Sequence, residues 1–496
     1  MTIVPAAVAL SLISHTNAGK TTLARTLLAR DVGEVRDEAH VTQEATPYPL
    51  VDTPDGDTLI LWDTPGFGDS ARLARRLAQQ GNPIGWFLSQ VWDRFRDRTL
   101  WLSQQAVRNV RDQADVVLYL VNAAEAPDDA GYLMPELAVL EWIGKPVIVL
   151  LNQTGPPRPH AEDAADVDRW RNALGPRPLV RAIVPLDAFA RCWVQEIALM
   201  RLIAEAIAVD KRDAFERLVA AWQDRRMRQF DDAIEAIAAP IARAACDSEP
   251  IPDPGVRGAL RDLGKALGVA QASADSASAR ASEAMAARLD AALRESTDRL
   301  IAIQELSGRA SADVLAQLAR TVVVDAPLNE GAAAMMGGVV SGALTGLAAD
   351  LAAGGLTFGA GMLTGAVLGA VGGAGIARGM NVARAQAGAS LRWDDAFLAH
   401  LSVAAILRYL AVAHYGRGRG DWVETAQPSF WSPLVVQALD ARKGELASIW
   451  SRRQPACDEA AIGAALQPVL AAAAREVLDA LYPGSLAWVG RAATVE

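Results

Sequence analysis

Eight consecutive residues near the N-terminus have the types and spacing of a loop that binds the phosphate groups of a nucleotide. An apolar run, residues 6–13, precedes them, and a segment of helical spacing, residues 22–30, follows. In this order, backbone N–H groups at the start of the helix point at the β-phosphate. Lys20 would neutralise β and γ oxygens, and the Thr21 hydroxyl would hold Mg²⁺. The predicted phosphate-binding residues are Ser14, His15, Thr16, Asn17, Ala18, Gly19, Lys20, Thr21 and Thr22.

A second motif, Asp63-Thr64-Pro65-Gly66, ends the apolar strand predicted over residues 58–62. Because the ligands of a doubly wound sheet bind outside the carboxyl ends of its strands, this motif and the phosphate loop converge on one crevice. We expect Asp63 to bind Mg²⁺ through water and the Gly66 amide to contact the γ-phosphate. Thr64 and Pro65 belong to the same predicted nucleotide site.

The pattern of apolar residues divides the chain into two parts. Continuous apolar runs at residues 116–121 and 146–151 are typical of parallel strands that are buried on both faces. They predict an α/β P-loop domain with a doubly wound sheet over residues 1–210. Over residues 211–496, Ala, Leu and Ile recur at helical spacing, which predicts a mostly α-helical C-terminal domain. Its predicted helices include residues 272–310, 391–410 and 460–481, with a break at residues 248–254.

Composition restricts the classes of partner and compartment. The 496 residues carry a formal net charge of -10. Because affinity for nucleic acid comes from clustered Lys and Arg, we expect no nucleic-acid partner. Cys192, Cys246 and Cys457 lack the spacing of zinc or redox motifs, and we interpret them as free thiols in a reducing cytosol. The N-terminus lacks a basic leader, which predicts a cytoplasmic protein.

Residues 331–377 are rich in Gly and Ala and carry one formal charge, Asp350. Asp350 divides them into two apolar stretches, each about as long as a bilayer-spanning helix requires. Small residues recur there at four-residue spacing, which permits close approach of two helices. One interpretation is a helical hairpin that contacts the membrane, and the other is a Gly-rich hairpin buried inside a soluble domain. Periodicity does not distinguish them.

Together, the phosphate loop and the Asp63 motif make residues 1–210 resemble GTPases of the Era/TrmE-like group, a translation-factor-related P-loop family. The domain order is similar to that of bacterial proteins that join such a domain to a helical C-terminal domain of unknown function. The resemblance implies GTP and Mg²⁺ as ligands and hydrolysis of GTP to GDP and phosphate. It also implies that Asn152, Gln153 and Thr154, which follow the strand over residues 146–151, contact the base.

The resemblance implies further roles in catalysis and metal binding. Asn17 occupies the place of an asparagine that coordinates K⁺, which supplies positive charge in the transition state; the alternative is an asparagine that bonds the loop backbone. A switch threonine is expected between the first helix and Asp63, with Thr42 as the first candidate and Thr46 as the second. The predicted metal ligands are therefore Thr21, Thr42 and Asp63. The predicted catalytic residues are Lys20, Asn17 and Gly66.

Several residues depart from the family pattern. Ser14 opens the loop where glycine is usual. Phe67 stands where Ras-like enzymes carry a water-orienting glutamine, so we expect slow hydrolysis unless a cation, a partner or a dimer assists. Gln153 replaces a lysine, and Gly155 replaces the aspartate that accepts hydrogen bonds from guanine N1 and N2. The residues alone therefore leave ATP open beside GTP.

The sequence predicts a nucleotide-hydrolysing switch that controls a helical effector domain, which is associated with the inner membrane if residues 331–377 insert. The alternative is a slow or non-hydrolysing NTP-binding module that acts through contacts with a protein partner or through self-association. The Trp- and Arg-rich residues 69–113 also have two interpretations. They form an arm that contacts a partner, or helices that pack on the protein's own core.

Overall fold

The computed structural model describes residues 5–15, 18–29, 45–67, 69–79, 98–155, 157–251, 277–306, 380–385, 388–415, 428–453 and 457–488. The chain divides into two compact units. Unit 1 comprises Met1–Gln229, Ala413–Val423 and Leu478–Glu496, and unit 2 comprises Phe230–Val412 and Glu424–Val477. Unit 1 thus extends to Gln229, beyond the boundary predicted at residue 210, and it includes Leu478–Glu496.

Unit 1 is a six-stranded sheet with helices between its strands. The strands are β1 (Ala7–Ser14), β2 (Thr46–Asp52), β3 (Thr58–Asp63), β4 (Val116–Asn122), β5 (Val147–Asn152) and β6 (Val180–Pro185). The helices are α1 (Lys20–Leu28), α2 (Ser70–Gln79), α3 (Arg98–Gln113), α4 (Leu133–Ile143), α5 (His160–Leu174) and α6 (Trp193–Ala206), with 3₁₀ turns at Val209–Lys211 and Ser485–Trp488. The order of strands is β2-β3-β1-β4-β5-β6. Only β2 is antiparallel to its neighbour, so the predicted α/β P-loop fold is confirmed.

The core of unit 1 lies on both faces of this sheet. Strand β5 is buried along its whole length, as expected of a parallel strand covered by helices on each side. Leu73 on α2 and Leu100 on α3 pack into the same hydrophobic cluster as Phe67. Within the described residues, helices α2 and α3 of the Trp- and Arg-rich segment therefore pack on the protein's own core. Residues 80–97 lie outside the described residues.

Unit 2 is mostly helical, as predicted. Helix α7 (Arg212–Cys246) starts in unit 1, and its residues from Phe230 onward belong to unit 2. The other helices are α8 (Ala277–Ile303), α9 (Asp395–Ala413), α10 (Trp431–Asp440), α11 (Lys443–Ser451) and α12 (Glu459–Leu481). The strands β7 (Ser248–Ile251), β8 (Met380–Ala385) and β9 (Gly388–Trp393) form an antiparallel sheet in the order β7-β9-β8.

This small sheet corrects two local predictions. The break expected at residues 248–254 contains strand β7, which pairs with β9. The helix expected from residue 391 begins instead at Asp395, because residues 391–393 complete β9. Strands this short give little periodicity, so only the tertiary pairing reveals them. The predicted hairpin at 331–377 lies outside the described residues and stays a prediction.

Buried polar groups join the helices of unit 2. Ser296 on α8 donates a hydrogen bond to the carbonyl oxygen of Ala236 on α7 (2.7 Å) and accepts one from Arg408 on α9 (3.2 Å). The rings of Phe230 and Tyr409 meet edge to face, with centroids 5.7 Å apart. Helices α7, α8 and α9 therefore share one core.

The prediction of three free thiols is wrong for two cysteines. Cys246, at the end of α7, and Cys457, just before α12, form a disulfide with their Cα atoms 5.3 Å apart. They are 211 residues apart in sequence, so no spacing motif could reveal the pair. Cys192 is buried and unpaired. Burial raises the pKa of its thiol to about 12, which keeps it protonated and unreactive at neutral pH.

Two helices of the described residues, α9 and α12, are long and apolar enough to cross a membrane. Length and composition are the only grounds for this statement. More than half of the apolar stretch of α9, and somewhat less than half of that of α12, is buried inside the protein.

A buried ion triad connects three helices of unit 1. Glu196 on α6 forms ion pairs with Arg191 and with Arg226 on α7, each with an N–O distance of 2.6 Å. All three side chains are buried. Arg191 also donates a hydrogen bond to the carbonyl oxygen of Thr26 on α1 (2.8 Å). The triad therefore fixes α1, the helix that follows the predicted phosphate loop.

Substituting Glu196→Gln should destabilise unit 1 by about 3–5 kcal/mol, because it leaves two buried guanidinium charges without a carboxylate. The urea midpoint of unfolding, followed for the full chain, measures the loss. Glu216→Gln is the matched control, since Glu216 is 49% exposed in its pair with Arg201 and should change stability by less than about 0.5 kcal/mol. Equal midpoints for the two variants would contradict this role of the triad.

Candidate functional site

The predicted phosphate loop joins β1 to α1, and its lysine is buried. Lys20 is the first residue of α1, and its Nζ donates a hydrogen bond to Ser14 Oγ (2.9 Å). Burial lowers the pKa of Lys20, and the nearby carboxylates of Asp63 and Glu136 oppose that effect. The serine that replaces the usual glycine therefore gives the ammonium group a neutral partner. A buried ammonium group with a neutral partner, at the start of a helix, favours the binding of an anion.

Thr21 and Asp63 meet at the carboxyl end of β3. The Thr21 hydroxyl donates a hydrogen bond to Asp63 Oδ2 (2.7 Å). Burial raises the pKa of Asp63, while Thr21 and the Lys20 charge oppose the rise. Among the described residues, the other oxygen, Asp63 Oδ1, is buried without a hydrogen-bond partner. Mg²⁺ prefers oxygen ligands of these kinds, so the hydroxyl and the unsatisfied carboxylate oxygen fit a magnesium site.

Asn152, the last residue of β5, joins the loops that follow three parallel strands. Its Nδ2 donates to the carbonyl oxygen of Ala18 in the phosphate loop (2.7 Å), and its Oδ1 accepts from the backbone N–H of Ala188 after β6 (2.9 Å). Gly19 lies directly against it with φ +89°, and a Cβ there would come within 2.6 Å of Asn152 Nδ2. Glycine is therefore required at this position both for its backbone conformation and for space.

The segment that follows β3 runs beside the phosphate loop. Thr64 Oγ1 donates to the carbonyl oxygen of Leu12 in β1, and the backbone N–H of Phe67 donates to the carbonyl oxygen of Ser14 (3.1 Å). Pro65 and Gly66, which lie between these contacts, are buried. The ring of Phe67 is wholly buried in the core, so it presents no polar group to a water molecule.

Sequence reasoning missed a carboxylate that holds the start of the loop. Glu136 on α4 is fully buried, and its Oε1 lies 2.9 Å from His15 Nδ1. Its Oε2 accepts a hydrogen bond from the Tyr119 hydroxyl on β4 (2.8 Å), and the His15 ring stacks on Tyr132 at 4.3 Å. Burial raises the pKa of Glu136, and its contact with His15 opposes the rise. No motif indicates Glu136, because only the sheet brings α4 beside the loop.

A second missed carboxylate lies at the predicted base-binding residues. Gln153 follows Asn152 with a left-handed φ of 59°. Thr154 Oγ1 then donates a hydrogen bond to Asp187, which follows β6. The signal in the sequence was the position of Asp187 just after the residues of β6, since ligands of such sheets bind beyond the carboxyl ends of the strands.

The structure places the remaining predicted residues as follows. Thr22 is buried on α1. Thr46, the second candidate for the switch threonine, is opposite Asp63 in the register of β2 and β3. Thr16, Asn17 and Thr42 lie outside the described residues, so their roles stay predictions.

Two family models match the chain. The family described as a domain of unknown function, DUF3482, matches residues 171–481, and the family described as 50S ribosome-binding GTPase matches residues 10–153. The second match spans the phosphate loop, Asp63 and Asn152. Unit 1 therefore contains a GTP-binding domain of the P-loop GTPase kind. Comparison with curated proteins finds no match.

Several solved structures are similar to part of the chain. A point variant of Era from Aquifex aeolicus, bound to GDP and AlF4-, is 20% identical and covers 41% of this chain and 57% of its own, with a TM-score of 0.31. Era in complex with MgGDPNP and a segment of 16S ribosomal RNA is 19% identical, covers 46% and 68%, and has a TM-score of 0.30. A point variant of SsGBP is 16% identical, covers 43% and 57%, and has a TM-score of 0.23. The chain thus spans less than two thirds of the Aquifex aeolicus Era chain.

Replacing Glu136 by Gln should make stability less dependent on pH. A carboxyl group whose pKa is raised by folding contributes stability below its ordinary value of 4.5 and loses it as pH rises through the raised pKa. Because Gln does not titrate, the free energy of unfolding of Glu136→Gln relative to the unsubstituted protein should increase as pH rises from 4.5. The increase should be about 1.4 kcal/mol for each tenfold difference in proton affinity between the folded and unfolded chains.

Urea titrations at several pH values measure this difference. Glu141→Gln on the same helix is the control, because Glu141 is 42% exposed in its pair with Arg177. A difference that stays constant with pH would contradict the raised pKa. A difference that changes in the opposite direction would show that the pairing with His15 outweighs burial.

Proposed function

The chain belongs to the family described as a domain of unknown function, DUF3482, and on that premise we propose that its GTPase domain is a GTP-hydrolysing switch that controls the helical unit. The observation that supports this proposal is the group formed by the buried Lys20 and Asp63 together with Thr21. Lys20 is a buried cation, and beside the Thr21 hydroxyl Asp63 carries a buried oxygen that has no partner in the part of the chain that the structure describes. A nucleotide that binds as Mg²⁺ and triphosphate satisfies both groups.

The roles of the residues follow from their chemistry. Thr21 and Asp63 would hold Mg²⁺, which neutralises charge on the phosphate oxygens when bound. Lys20 binds the β and γ oxygens, and the backbone N–H groups at the start of α1 bind the phosphates. The Gly66 amide follows Asp63 beside the loop and contacts the γ-phosphate. Asn152 positions the phosphate loop by holding the carbonyl oxygen of Ala18.

Hydrolysis is proposed to be slow without assistance. Phe67 is buried and cannot orient the attacking water, so the missing stabilisation must come from a cation or a partner. Asn17 supplies the ligand for K⁺ in this proposal, which would place the chain in the Era/TrmE-like group. Thr42 would complete the magnesium ligands.

The second candidate is a slow or non-hydrolysing NTP-binding module that acts through protein contacts or self-association. Two observations favour it. Phe67 offers no polar side chain for the water, and Gly155 offers no carboxylate for the base. The two candidates differ in whether the protein releases phosphate from GTP. We expect release, because Lys20, Thr21 and Asp63 are all present.

Purified full-length protein should release phosphate from MgGTP, and Lys20→Ala should abolish this release. The substitution removes the charge that faces the β and γ oxygens, so the affinity for GTP should fall by about 100-fold or more in calorimetry. Lys145→Ala is the control, since Lys145 lies after α4, outside the site. Affinity that is unchanged in Lys20→Ala would contradict the proposed phosphate site, and binding without any phosphate release would favour the second candidate.

The same assay in KCl and in NaCl tests the role of Asn17. We expect release to be at least about tenfold faster in potassium, because a bound cation stabilises charge that develops in the transition state. Asn17→Ala should remove the difference between the two salts and leave binding of GDP intact. Equal rates of the unsubstituted protein in the two salts would exclude K⁺ as the cofactor.

We further propose that the protein is cytoplasmic and contacts the inner membrane through residues 331–377. Their length, their apolar composition and the position of Asp350 between two apolar stretches support a hairpin. No nucleic-acid partner is proposed, since the net charge is -10.

Deleting residues 331–377 should move the protein from the membrane pellet to the supernatant after cell lysis. The deletion removes the apolar stretches on which insertion depends, while the buried Lys20 site is unaffected. Binding of GTP by the deletion variant is the control for its folding. The membrane proposal fails if the intact protein is already in the supernatant without detergent.

A further inference from the structure

We propose that Asp187 supplies the base-reading carboxylate that position 155 lacks. The inference rests on the proposed binding of GTP and adds to it the residue that distinguishes guanine from other bases. Asp187 lies in the loop that follows β6, two residues after the strand ends at Pro185. The neighbouring parallel strand β5 ends at Asn152, and Gly155 follows in its loop.

The carboxylate of Asp187 lies against Gly155, the position at which the family motif carries its base-binding aspartate. Its Oδ2 accepts hydrogen bonds from the backbone N–H of Gly155 (3.1 Å) and from Thr154 Oγ1 (3.2 Å). Its Oδ1 accepts from the backbone N–H of Phe189 (2.8 Å). A side chain from the loop after β6 thus brings a negative charge to the loop after β5.

The same loop is attached to the phosphate site. Ala188, the residue after Asp187, donates its backbone N–H to Asn152 Oδ1, and Asn152 in turn holds the carbonyl oxygen of Ala18. The Thr26 hydroxyl on α1 donates to the carbonyl oxygen of Ala188 (2.7 Å). Ala188 and the side chain of Asn152 therefore connect Asp187 to the phosphate loop. This position is suited to the base end of a bound nucleotide.

Asp187 is buried, and several donors already bond to its carboxylate. It is 3% exposed, and burial raises its pKa, while hydrogen bonds from Phe189, Gly155 and Thr154 favour the ionised form. A carboxylate has about four acceptor sites. The backbone N–H groups of Phe189, Gly155 and Thr154 and the Thr154 hydroxyl all donate to Asp187. A base N–H would therefore take the place of the Thr154 hydroxyl, which is the one donor among these that can rotate away.

The chemistry of the bases determines which one this carboxylate accepts. Guanine presents donors at N1 and N2, which pair with a carboxylate acceptor. Adenine presents the N1 lone pair in the same place, and xanthine presents a carbonyl oxygen at position 2, so both leave the buried carboxylate opposed by an acceptor. A site whose buried polar group is unpaired rejects the wrong ligand strongly.

Competition of MgGTP, MgATP and MgXTP against fluorescently labelled GDP, using the full chain, tests this inference. The unsubstituted protein should prefer GTP over both competitors. Asp187→Asn replaces an acceptor by an amide that can also donate, so we expect the affinity for GTP to fall about 10- to 100-fold and that for XTP to rise above it. A gain for XTP cannot result from a merely misfolded loop.

The double variant Asp187→Asn with Gly155→Asp provides a second test. A Cβ at Gly155 would meet no atom within 4 Å, so there is room for the ordinary carboxylate despite a φ of +88°. Restored preference for GTP in the double variant supports the inference. Asp163→Asn on helix α5 is the control, since Asp163 pairs with Arg158, and it should leave the preference unchanged.

Three outcomes would overturn the assignment. Equal weakening of GTP, ATP and XTP in Asp187→Asn would show a structural role alone. Equal affinities of the unsubstituted protein for GTP and ATP, both abolished by Lys20→Ala, would refute base reading by Asp187 and leave triphosphate binding intact. Absence of binding by any of the nucleotides would refute the proposed function together with this inference.

Discussion

The burial of the Lys20 charge is the constraint on which the arrangement of unit 1 depends. An ammonium group removed from water is costly unless anions or hydrogen-bond acceptors surround it. Its hydrogen-bond partner Ser14 is neutral, and the two opposing charges, Asp63 and Glu136, come from β3 and α4. The strand pairing that places Leu12 opposite Asp63, and the bond from Tyr119 to Glu136, hold these charges in position. The site is thus organised around a cation before any ligand binds.

The two carboxylates near Lys20, Asp63 and Glu136, are themselves buried. Burial raises the pKa of both Asp63 and Glu136, so neither is an ideal counter-ion in the absence of ligand. A triphosphate with Mg²⁺ improves the balance in two ways. In the proposed function, its oxygens would neutralise Lys20, and its metal would satisfy Asp63 Oδ1, which has no partner among the described residues. Because such a ligand would bind only the folded protein, it would also stabilise the protein against unfolding.

The sequence was informative where the candidate site is formed by consecutive residues. Lys20, Thr21 and Asp63 were predicted because each motif follows an apolar strand, and parallel strands bring their carboxyl ends to one edge. Glu136 and Asp187 were not predicted, since each is a single acidic residue whose partners are 121 and 32 residues away and meet it only through the order of strands. The disulfide and the sheet of β7, β8 and β9 were not predicted for the same reason, because both depend on pairing between distant segments.

The loop after β6 contacts both the loop after β5 and helix α1. Asp187 in this loop accepts a hydrogen bond from Gly155, Ala188 donates one to Asn152, and Arg191 donates one to the carbonyl oxygen of Thr26 on α1. Arg191 also enters the triad with Glu196 and Arg226, so α1 and the first half of α7 are linked through one buried carboxylate. A switch requires a ligand that binds two arrangements of the protein with different affinity. In this protein the loop after β6 contacts Asn152, which holds the phosphate loop, and contributes Arg191 to the triad that fixes the first half of α7. A movement of this loop would therefore change both sets of contacts.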